Sequence, residues 1–168
     1  MIIKKNKAFF LDRDGTINRN IKYLKNFKNF KWNKNAIRAL KYIYNKNYKI
    51  IIITNQSGIG RGILTIRELK KIHFNMNKVL KKYNCKIHDF FFCPYIQNAK
   101  IKKYRIKNHF LRKPNPGMIF KAVKKWKIDI TKSFMIGDQH TDRIASKRAG
   151  IKFILKKYNL LREIKKIT

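Results

Sequence analysis

Short apolar runs recur along the chain, separated by longer segments that mix apolar and polar residues. The clearest run covers residues 50–54, four isoleucines and a threonine, and because all five are β-branched it predicts a buried strand. Four similar runs predict further strands at residues 8–11, 90–93, 133–136 and 151–155. All of these runs are too short to cross a membrane, so the pattern predicts a soluble protein.

The segments between the runs repeat apolar side chains three and four residues apart, which is the spacing of one helical face. Thr65 and Glu68 have the spacing of a capping box and predict the start of a helix that extends to about residue 83. Further helices are predicted over residues 34–46, from Pro116 onwards, and over residues 139–149 ahead of Gly150. Strands alternating with helices predict an α/β fold, a Rossmann-like three-layer α/β/α sandwich with a mostly parallel sheet.

A length of 168 residues suits a single domain, residues 1–168, and 44% hydrophobic residues are enough to form a core. Two cysteines, Cys85 and Cys93, are too few for a disulfide framework and fit a reducing compartment. Residues 1–7 contain no apolar signal segment. These features predict a cytoplasmic protein, and the short chain with its small inserts predicts a monomer.

The charge is extreme, with 43 lysines and arginines against 8 acidic residues and a net charge of +35. Such a charge fits a protein that binds nucleic acid through its phosphates. The basic residues are mostly lysines, however, and they lie among abundant asparagine and isoleucine throughout the chain, which is the pattern of an AT-rich genome. We therefore attribute the positive charge to the composition of the genome and do not expect a nucleic-acid partner. The charge alone does not exclude one. Under either interpretation the field attracts anionic substrates.

Polar side chains follow three of the predicted strands directly: Asp12, Thr54 and Asp138. The carboxyl ends of parallel strands meet at one edge of a sheet, which is where α/β proteins bind ligands. Asp12 is followed by Asp14 and Gly15, and a turn at this glycine can bring both carboxylates into one site. One carboxylate can then act as nucleophile and the other as general acid and base, and carboxylates are ligands that Mg²⁺ prefers.

These residues resemble the motifs of the haloacid dehalogenase superfamily of phosphotransferases. The matching positions are residues 10–16 (Phe-Leu-Asp-Arg-Asp-Gly-Thr), then Thr54, then Lys113, then Gly137 with Asp138. The four motifs occur in order across residues 8–155, and the resemblance implies a magnesium-dependent phosphatase that forms an aspartyl-phosphate intermediate. A further carboxylate, Asp142, is expected to orient the lysine of the third motif or to support the residues around the metal, rather than to bind metal directly.

The resemblance also implies a role for each motif residue. Asp12 would be the nucleophile, and Asp14 would protonate the leaving group and then activate water. Thr54 would bind the phosphoryl oxygens, and Lys113 would neutralise their charge. Mg²⁺ would be held by Asp12, the backbone of Asp14 and Asp138.

Within the superfamily, the chain resembles the heptose bisphosphate phosphatase family, which removes the 7-phosphate of a heptose 1,7-bisphosphate during synthesis of lipopolysaccharide core precursors. Residues 12–18, 54–62 and 112–118 carry this resemblance. The positions that match the family's substrate contacts are Asn20, Tyr23, Asn55, Gln56, Ser57 and Arg112. Arg112 suits bidentate contact with the phosphate that is not cleaved.

Many relatives hold the loop before the Arg-Lys-Pro motif with zinc. The four ligand positions here are Cys93, Tyr95, His109 and Leu111, and because a closed zinc site needs four ligands, we predict no zinc. We expect the loop, residues 94–111, to remain as a small cap over the site. Its predicted apolar anchors are Tyr95, Ile101, Tyr104, Ile106 and Phe110, and His109 is predicted to be a surface or loop histidine.

Three alternatives remain open. Histidinol-phosphate phosphatases perform the same chemistry and resemble the chain at the first and third motifs. Polynucleotide 3′-phosphatases resemble it at residues 54–56 and 58–62, and the charge suits DNA, but they usually lack the arginine between the two acids of the first motif. A non-catalytic basic nucleic-acid-binding module is the third alternative, and the four filled motif positions argue against it.

Overall fold

The structure, a computed structural model, describes residues 5–167. The prediction that residues 1–7 contain no signal segment therefore falls mostly outside the described residues. Its centre is a parallel sheet. The strands are β1 (Ala8–Leu11), β2 (Lys49–Asn55), β3 (Asp89–Cys93), β4 (Phe134–Gly137) and β5 (Lys152–Leu155). Their order across the sheet is β3-β2-β1-β4-β5. The five predicted strands are confirmed, and every pair of neighbours is parallel.

Helices connect the strands and cover the sheet. They are α1 (Ala36–Asn45), α2 (Ser57–Gly60), α3 (Ile66–Lys81), α4 (Gly117–Trp126), α5 (His140–Arg148) and α6 (Leu160–Lys165). The sequence predicted neither α2 nor α6, which are one or two turns long. Pro116 precedes α4 rather than lying in its first turn. Among the residues that the structure describes, no helix has the length and apolar character needed to span a bilayer.

Alternate side chains of β1 point to opposite faces of the sheet and separate two cores. Phe9 and Leu11 pack with side chains of α1, α3 and α6 on one face. Phe10 packs with side chains of α4 and α5 on the other face. The predicted three-layer α/β/α sandwich is therefore confirmed.

The sheet order places β1 beside β4, and their connections lead to helices on opposite faces. In such sheets a crevice opens between the two strands at their carboxyl ends. Asp12 follows β1 and Asp138 follows β4, so the two carboxylates flank this crevice. The fold thus positions the predicted site.

The predicted cap loop, residues 94–111, is partly ordered by a 3₁₀ turn at Lys102–Tyr104. The rings of Tyr95 and His109 stack with their centroids 3.6 Å apart, so this histidine is half-buried in the loop. Ile106 and Phe110 are 42% and 55% exposed, but the ring of Phe110 stacks on Phe120 of α4 with centroids 6.4 Å apart, and the anchoring of the loop by these residues stays a prediction.

Candidate active site

Lys113 lies between two carboxylates at the carboxyl edge of the sheet. Its Nζ is 2.6 Å from Oδ1 of Asp12 and 2.6 Å from Oδ1 of Asp142. It also donates to the carbonyl of Ile53 at 3.0 Å. All three charged side chains are buried. One ammonium group shared by two carboxylates leaves a negative charge in the site, which favours a bound cation.

Burial raises the pKa of Asp12 to about 7; Lys113 opposes this rise, and the carboxylates of Asp142 and Asp14 add to it. Burial by itself would lower the pKa of Lys113, but the adjacent Asp12 and Asp142 carboxylates outweigh burial and raise that pKa above its ordinary value. The lysine therefore stays charged. A cation next to Asp12 would favour its carboxylate form.

Asp138 completes a cluster of three carboxylates. Asp12, Asp138 and Asp142 each offer an oxygen within 4.8 Å of the others. Both oxygens of Asp142 already have partners, because Oδ1 faces Lys113 and Oδ2 accepts from the backbone N–H of Gln139 at 3.1 Å. Asp138 is only partly buried, and its oxygens accept from neutral donors, the Thr16 hydroxyl at 3.3 Å and the Gln139 side-chain amide at 3.0 Å, whereas Asp142 is fully buried. The metal candidates are therefore the carboxylates of Asp12 and Asp138, and such oxygen donors suit Mg²⁺.

Gly15 allows the loop after β1 to approach Asp138. Its φ is +91°, and a Cβ at this position would collide with the Asp138 carboxylate. Asn33 holds the same loop, since its Nδ2 donates to the carbonyls of Gly15, Thr16 and Asn18 at 2.8, 3.1 and 3.2 Å. The sequence did not identify Asn33, because no motif includes it.

Lys156, directly after β5, joins this loop to the last residue of β4. Its Nζ donates to the carbonyl of Gly15 and its backbone N–H donates to the carbonyl of Gly137, both at 2.9 Å. Nothing in the sequence marks this lysine, because it is one of 43 basic residues. The loop after β1 and the end of β4, which lie beside the metal-binding candidates, are thus fixed to each other.

Asp14 accepts five hydrogen bonds. Arg13 donates three of them, from Nε to Oδ1 at 3.2 Å and from Nη2 to Oδ1 and Oδ2 at 3.0 and 2.8 Å. Asn18 donates to Oδ1 and Gln56 donates to Oδ2, each at 2.9 Å. The Asp14 side chain is nevertheless 22% exposed. Its carboxylate is therefore fixed from the protein side and open to the crevice.

Arg13 is itself buried and supported by His73. Its Nη1 lies 3.4 Å from Nε2 of His73, whose ring stacks on Phe90 with centroids 4.1 Å apart. Burial, aided by the adjacent guanidinium, lowers the pKa of His73 to about 3, so the ring is neutral and its Nε2 accepts. Sequence reasoning assigned no role to either residue; the available signal was the position of His73 four residues after Leu69 on the buried face of α3.

The residues after β2 also hold the catalytic candidates in place. Gln56 donates from one Nε2 to Asp14 and to Oγ1 of Thr54, the latter at 2.9 Å. Asn55 binds the backbone of Lys113 twice, donating to its carbonyl at 3.0 Å and accepting from its N–H at 3.1 Å. The structure therefore gives both amides partners within the protein, and their predicted contacts with substrate stay predictions.

Three other predicted substrate contacts lie on loops around this centre. Ser57 is the first residue of α2, and the ring of Tyr23 lies next to Gly58 in the same helix. Asn20 is exposed. Their roles in binding substrate stay predictions.

Arg112 extends away from the side chain of Lys113, towards the cap loop. Its Nη1 donates to the carbonyl of Tyr95 at 3.1 Å. It also lines a cavity of about 280 Å³ together with Asn115 and Arg148. Its predicted contact with the second phosphate stays a prediction.

The fold and the site define a phosphatase of the haloacid dehalogenase class. Residues 7–157 match the family model described as polynucleotide kinase 3 phosphatase. The chain is 40% identical over 145 residues to a D-glycero-alpha-D-manno-heptose-1,7-bisphosphate 7-phosphatase of Photorhabdus laumondii, covering 86% of this chain and 79% of the relative. It is 38% identical over 144 residues, with the same coverage, to a D-glycero-beta-D-manno-heptose-1,7-bisphosphate 7-phosphatase of Rhodopseudomonas palustris.

Two solved structures have a similar fold. A HAD-like phosphatase structure from Mesorhizobium loti has a TM-score of 0.82 at 30% identity, covering 88% of this chain and 70% of that one. The D,D-heptose 1,7-bisphosphate phosphatase of B. bronchiseptica, complexed with magnesium and phosphate, has a TM-score of 0.80 at 24% identity, covering 95% and 86%, and shows the shared fold. The chain belongs to the heptose-1,7-bisphosphate 7-phosphatase family of the haloacid dehalogenase superfamily.

Proposed function

We propose that this chain removes the 7-phosphate of D-glycero-D-manno-heptose 1,7-bisphosphate, using Mg²⁺ and an aspartyl-phosphate on Asp12. The observation that carries the proposal is the buried contact of Lys113 with Asp12 and Asp142, which places an ammonium group against a carboxylate at the crevice. The names of the relatives support the substrate, and they include both anomers. In this proposal the product serves the synthesis of lipopolysaccharide core precursors.

In the first step an oxygen of the Asp12 carboxylate attacks phosphorus, and the bond from phosphorus to the sugar oxygen breaks. Asp14 gives its proton to that oxygen, and the sugar leaves as an alcohol. In the second step Asp14 takes a proton from water as the water oxygen attacks phosphorus. The bond from phosphorus to Asp12 breaks, which releases phosphate and restores the carboxylate.

The other residues of the site stabilise charge and fix geometry in this scheme. Lys113 offsets the negative charge on the phosphoryl oxygens, and Thr54 hydrogen-bonds to them. Arg13 and Gln56 hold the carboxylate of Asp14 at the crevice. Positioning and charge neutralisation are the main demands of phosphoryl transfer.

Mg²⁺ fits the donor set that the chain offers. Asp12, Asp138 and the backbone carbonyl of Asp14 would hold it, since Asp142 is fully buried between Lys113 and the backbone N–H of Gln139. When bound, the ion neutralises charge on the phosphoryl group and polarises its bonds.

We also propose that residues 94–111 cap this site without zinc, within a single domain of residues 1–168. Tyr95 stands at one of the four zinc positions of relatives and stacks on His109 at another. Leu111, at a third, packs against the core beside α4 and α5. Cytoplasmic location and a monomeric state stay predictions.

The test compares phosphate release from both anomers of the heptose bisphosphate, histidinol phosphate and a 3′-phosphorylated oligonucleotide, each with Mg²⁺. We expect the highest kcat/KM with a bisphosphate. We expect near-complete loss in Asp12→Asn and none in Asp129→Asn, a matched substitution at an aspartate whose carboxylate binds Thr131. A higher kcat/KM with histidinol phosphate or with the oligonucleotide would overturn the assignment of the substrate. Full activity of Asp12→Asn would overturn the assignment of Asp12 as the nucleophile.

The oligonucleotide is the substrate of a second candidate function, polynucleotide 3′-phosphatase. The description of the matching family model favours including it. The heptose phosphatase names of the relatives argue for the sugar. We expect the oligonucleotide to be the poorer substrate.

A further inference from the structure

The edge of the sheet opposite the active site forms a wide basic groove of about 1100 Å³. Lys7 precedes β1 and Lys49 begins β2, so the groove lies at the amino ends of these strands. Asp12 and Thr54 lie at their carboxyl ends. We call this surface the basal groove; it is lined mainly by Lys7, Lys46, Lys49, Tyr44, Tyr48 and His88.

The basal groove collects positive charge that the protein does not neutralise. Lys5 and Lys132 also line it, which gives five ammonium groups against the single carboxylate of Asp129. Oδ1 of that carboxylate accepts from Thr131, and its other oxygen is 4.0 Å from Lys132. Within residues 5–167 the remaining four lysines form no ion pair. Ammonium groups gathered in this way repel one another and attract a polyanion.

Aromatic rings lie among these lysines. The rings of Tyr44 and His88 are 5.7 Å apart and nearly parallel, with 28° between their planes. Nζ of Lys7 lies 4.1 Å from the centre of the Tyr48 ring. Burial, with Lys49 and Lys86, lowers the pKa of His88 to about 4, and its Nδ1 accepts from the N–H of Ile50. This ring is therefore neutral and adds a flat surface rather than a charge.

We propose that the basal groove binds single-stranded nucleic acid, with phosphates on the lysines and bases against the rings of Tyr44 and His88. Proteins that bind single strands without sequence preference combine a basic groove with aromatic rings for the bases. A biased composition accounts for the number of lysines, but it does not direct five of them to one groove that contains aromatic rings. The groove is remote from Asp12, so this binding is independent of the phosphatase reaction.

The test measures binding of a labelled oligothymidylate of about 12 nucleotides to the full chain by fluorescence anisotropy. The groove variant combines Lys7→Gln, Lys46→Gln and Lys49→Gln. The matched control combines Lys70→Gln, Lys71→Gln and Lys78→Gln, which removes the same charge from exposed positions of α3. In about 0.1 M salt we expect roughly tenfold weaker binding for the groove variant and less than twofold for the control.

Equal weakening in the two variants would overturn the proposal, because binding would then follow net charge alone. Inorganic polyphosphate of similar length is the second probe; if it competes as well as the oligonucleotide, the aromatic rings add nothing and the nucleic-acid assignment fails. A variant with arginine at the three groove positions keeps the cations and is expected to bind like the parent, which covers the case in which the glutamine variant does not fold. Phosphatase activity is expected to stay unchanged in the groove variants, so this proposal and the proposed function fail separately.

Discussion

Arg13 and Asp14 are neighbours in the chain, and their side chains turn towards each other to form a bidentate ion pair at the edge of the crevice. The arginine is 1% exposed. The buried guanidinium of Arg13 therefore holds the solvent-facing carboxylate of Asp14 in place. In the proposed mechanism this carboxylate carries the proton in both steps.

The Arg13→Lys variant tests this positioning. Lysine keeps the charge, but its compact ammonium group cannot span both carboxylate oxygens. We expect kcat on the sugar phosphate to fall roughly 10–100-fold with little change in KM, because proton transfer is impaired and binding is not. Steady-state kinetics measures both, with Arg38→Lys on the exposed face of α1 as the control. A variant with the kcat of the parent would refute the role of Arg13.

The Lys113→Met variant tests the buried charge cluster. Removing the ammonium leaves Asp12 and Asp142 buried without a counterion, which we expect to cost about 3–5 kcal/mol of unfolding free energy. Adding Asp142→Asn removes one of the two repelling charges, and we expect it to restore at least about 1 kcal/mol.

Urea unfolding measures these free energies. The control is Lys125→Met, which breaks the ion pair of an exposed lysine with Asp89 and is expected to cost less than about 1 kcal/mol. The burial of the cluster indicates that it stabilises the fold. If Lys113→Met lowered the unfolding free energy no more than this control, that conclusion would be wrong.

His73 predicts how stability depends on pH. Its pKa in the folded protein, about 3, is below the ordinary value of 6.5, so between these pH values the unfolded chain binds a proton that the folded protein does not. Stability must therefore fall as the pH falls from about 6.5 to about 3, by roughly 4 kcal/mol for this group. In His73→Gln we expect a shallower loss, measured by thermal or urea unfolding across this range. The control is the same substitution at exposed His140, which should leave the dependence of the unfolding free energy on pH as in the parent. If His73→Gln left this dependence unchanged, His73 would not be the group responsible.

Asn33 is predicted to stabilise the loop after β1 as a hydrogen-bond donor. Asn33→Asp would place a carboxylate oxygen against three carbonyl oxygens, and we expect it to cost about 1–3 kcal/mol and to lower activity. The matched control is Asn26→Asp, because the side-chain oxygen of Asn26 accepts from the N–H of Asn29 and a carboxylate can do the same. Equal stability of the two variants would argue against the donor role.

Asp138→Asn tests the proposed magnesium site. Loss of one anionic oxygen should weaken the apparent affinity for Mg²⁺ by at least about tenfold. Initial rates are measured against Mg²⁺ concentration after treatment with a chelator, and binding to the free protein is measured by calorimetry. Asp129→Asn serves again as the control, and an unchanged Mg²⁺ requirement in Asp138→Asn would remove this residue from the site.

The parts of the fold that repeat a simple pattern could be predicted. The five strands follow from short apolar runs, and α3 begins at Thr65 because the capping box is a local signal. By contrast, α6 is short, and it is held by burial of Leu160 and Ile164 against the core beneath α1, which depends on the whole fold. The exposure of the cap residues Ile106 and Phe110 could not be predicted, because an apolar side chain in a loop does not reveal which way it faces.

The site divides in the same way. Asp12, Thr54, Lys113 and Asp138 lie at strand ends or in a recognisable motif. Asp12 contacts Lys113 and lies near Asp138, and Gln56 links Thr54 to Asp14. The supports of these residues could not be predicted, since the contact of His73 with Arg13 joins residues 60 positions apart through side-chain burial. Asn55 is a further example, because its motif position implies a contact with substrate but gives no sign that its amide binds the backbone of Lys113.

The two hydrogen bonds of Lys156 make an edge strand part of the catalytic architecture. A substitution in β5, or a displacement of that strand, would alter the separation of Gly15 and Gly137 and with it the spacing of the carboxylates beside them. Every residue that contacts phosphate in the proposed scheme precedes Gly150. The chain after Gly150 nevertheless supports the geometry of the active site, so substitutions or tags there should be chosen with that role in mind.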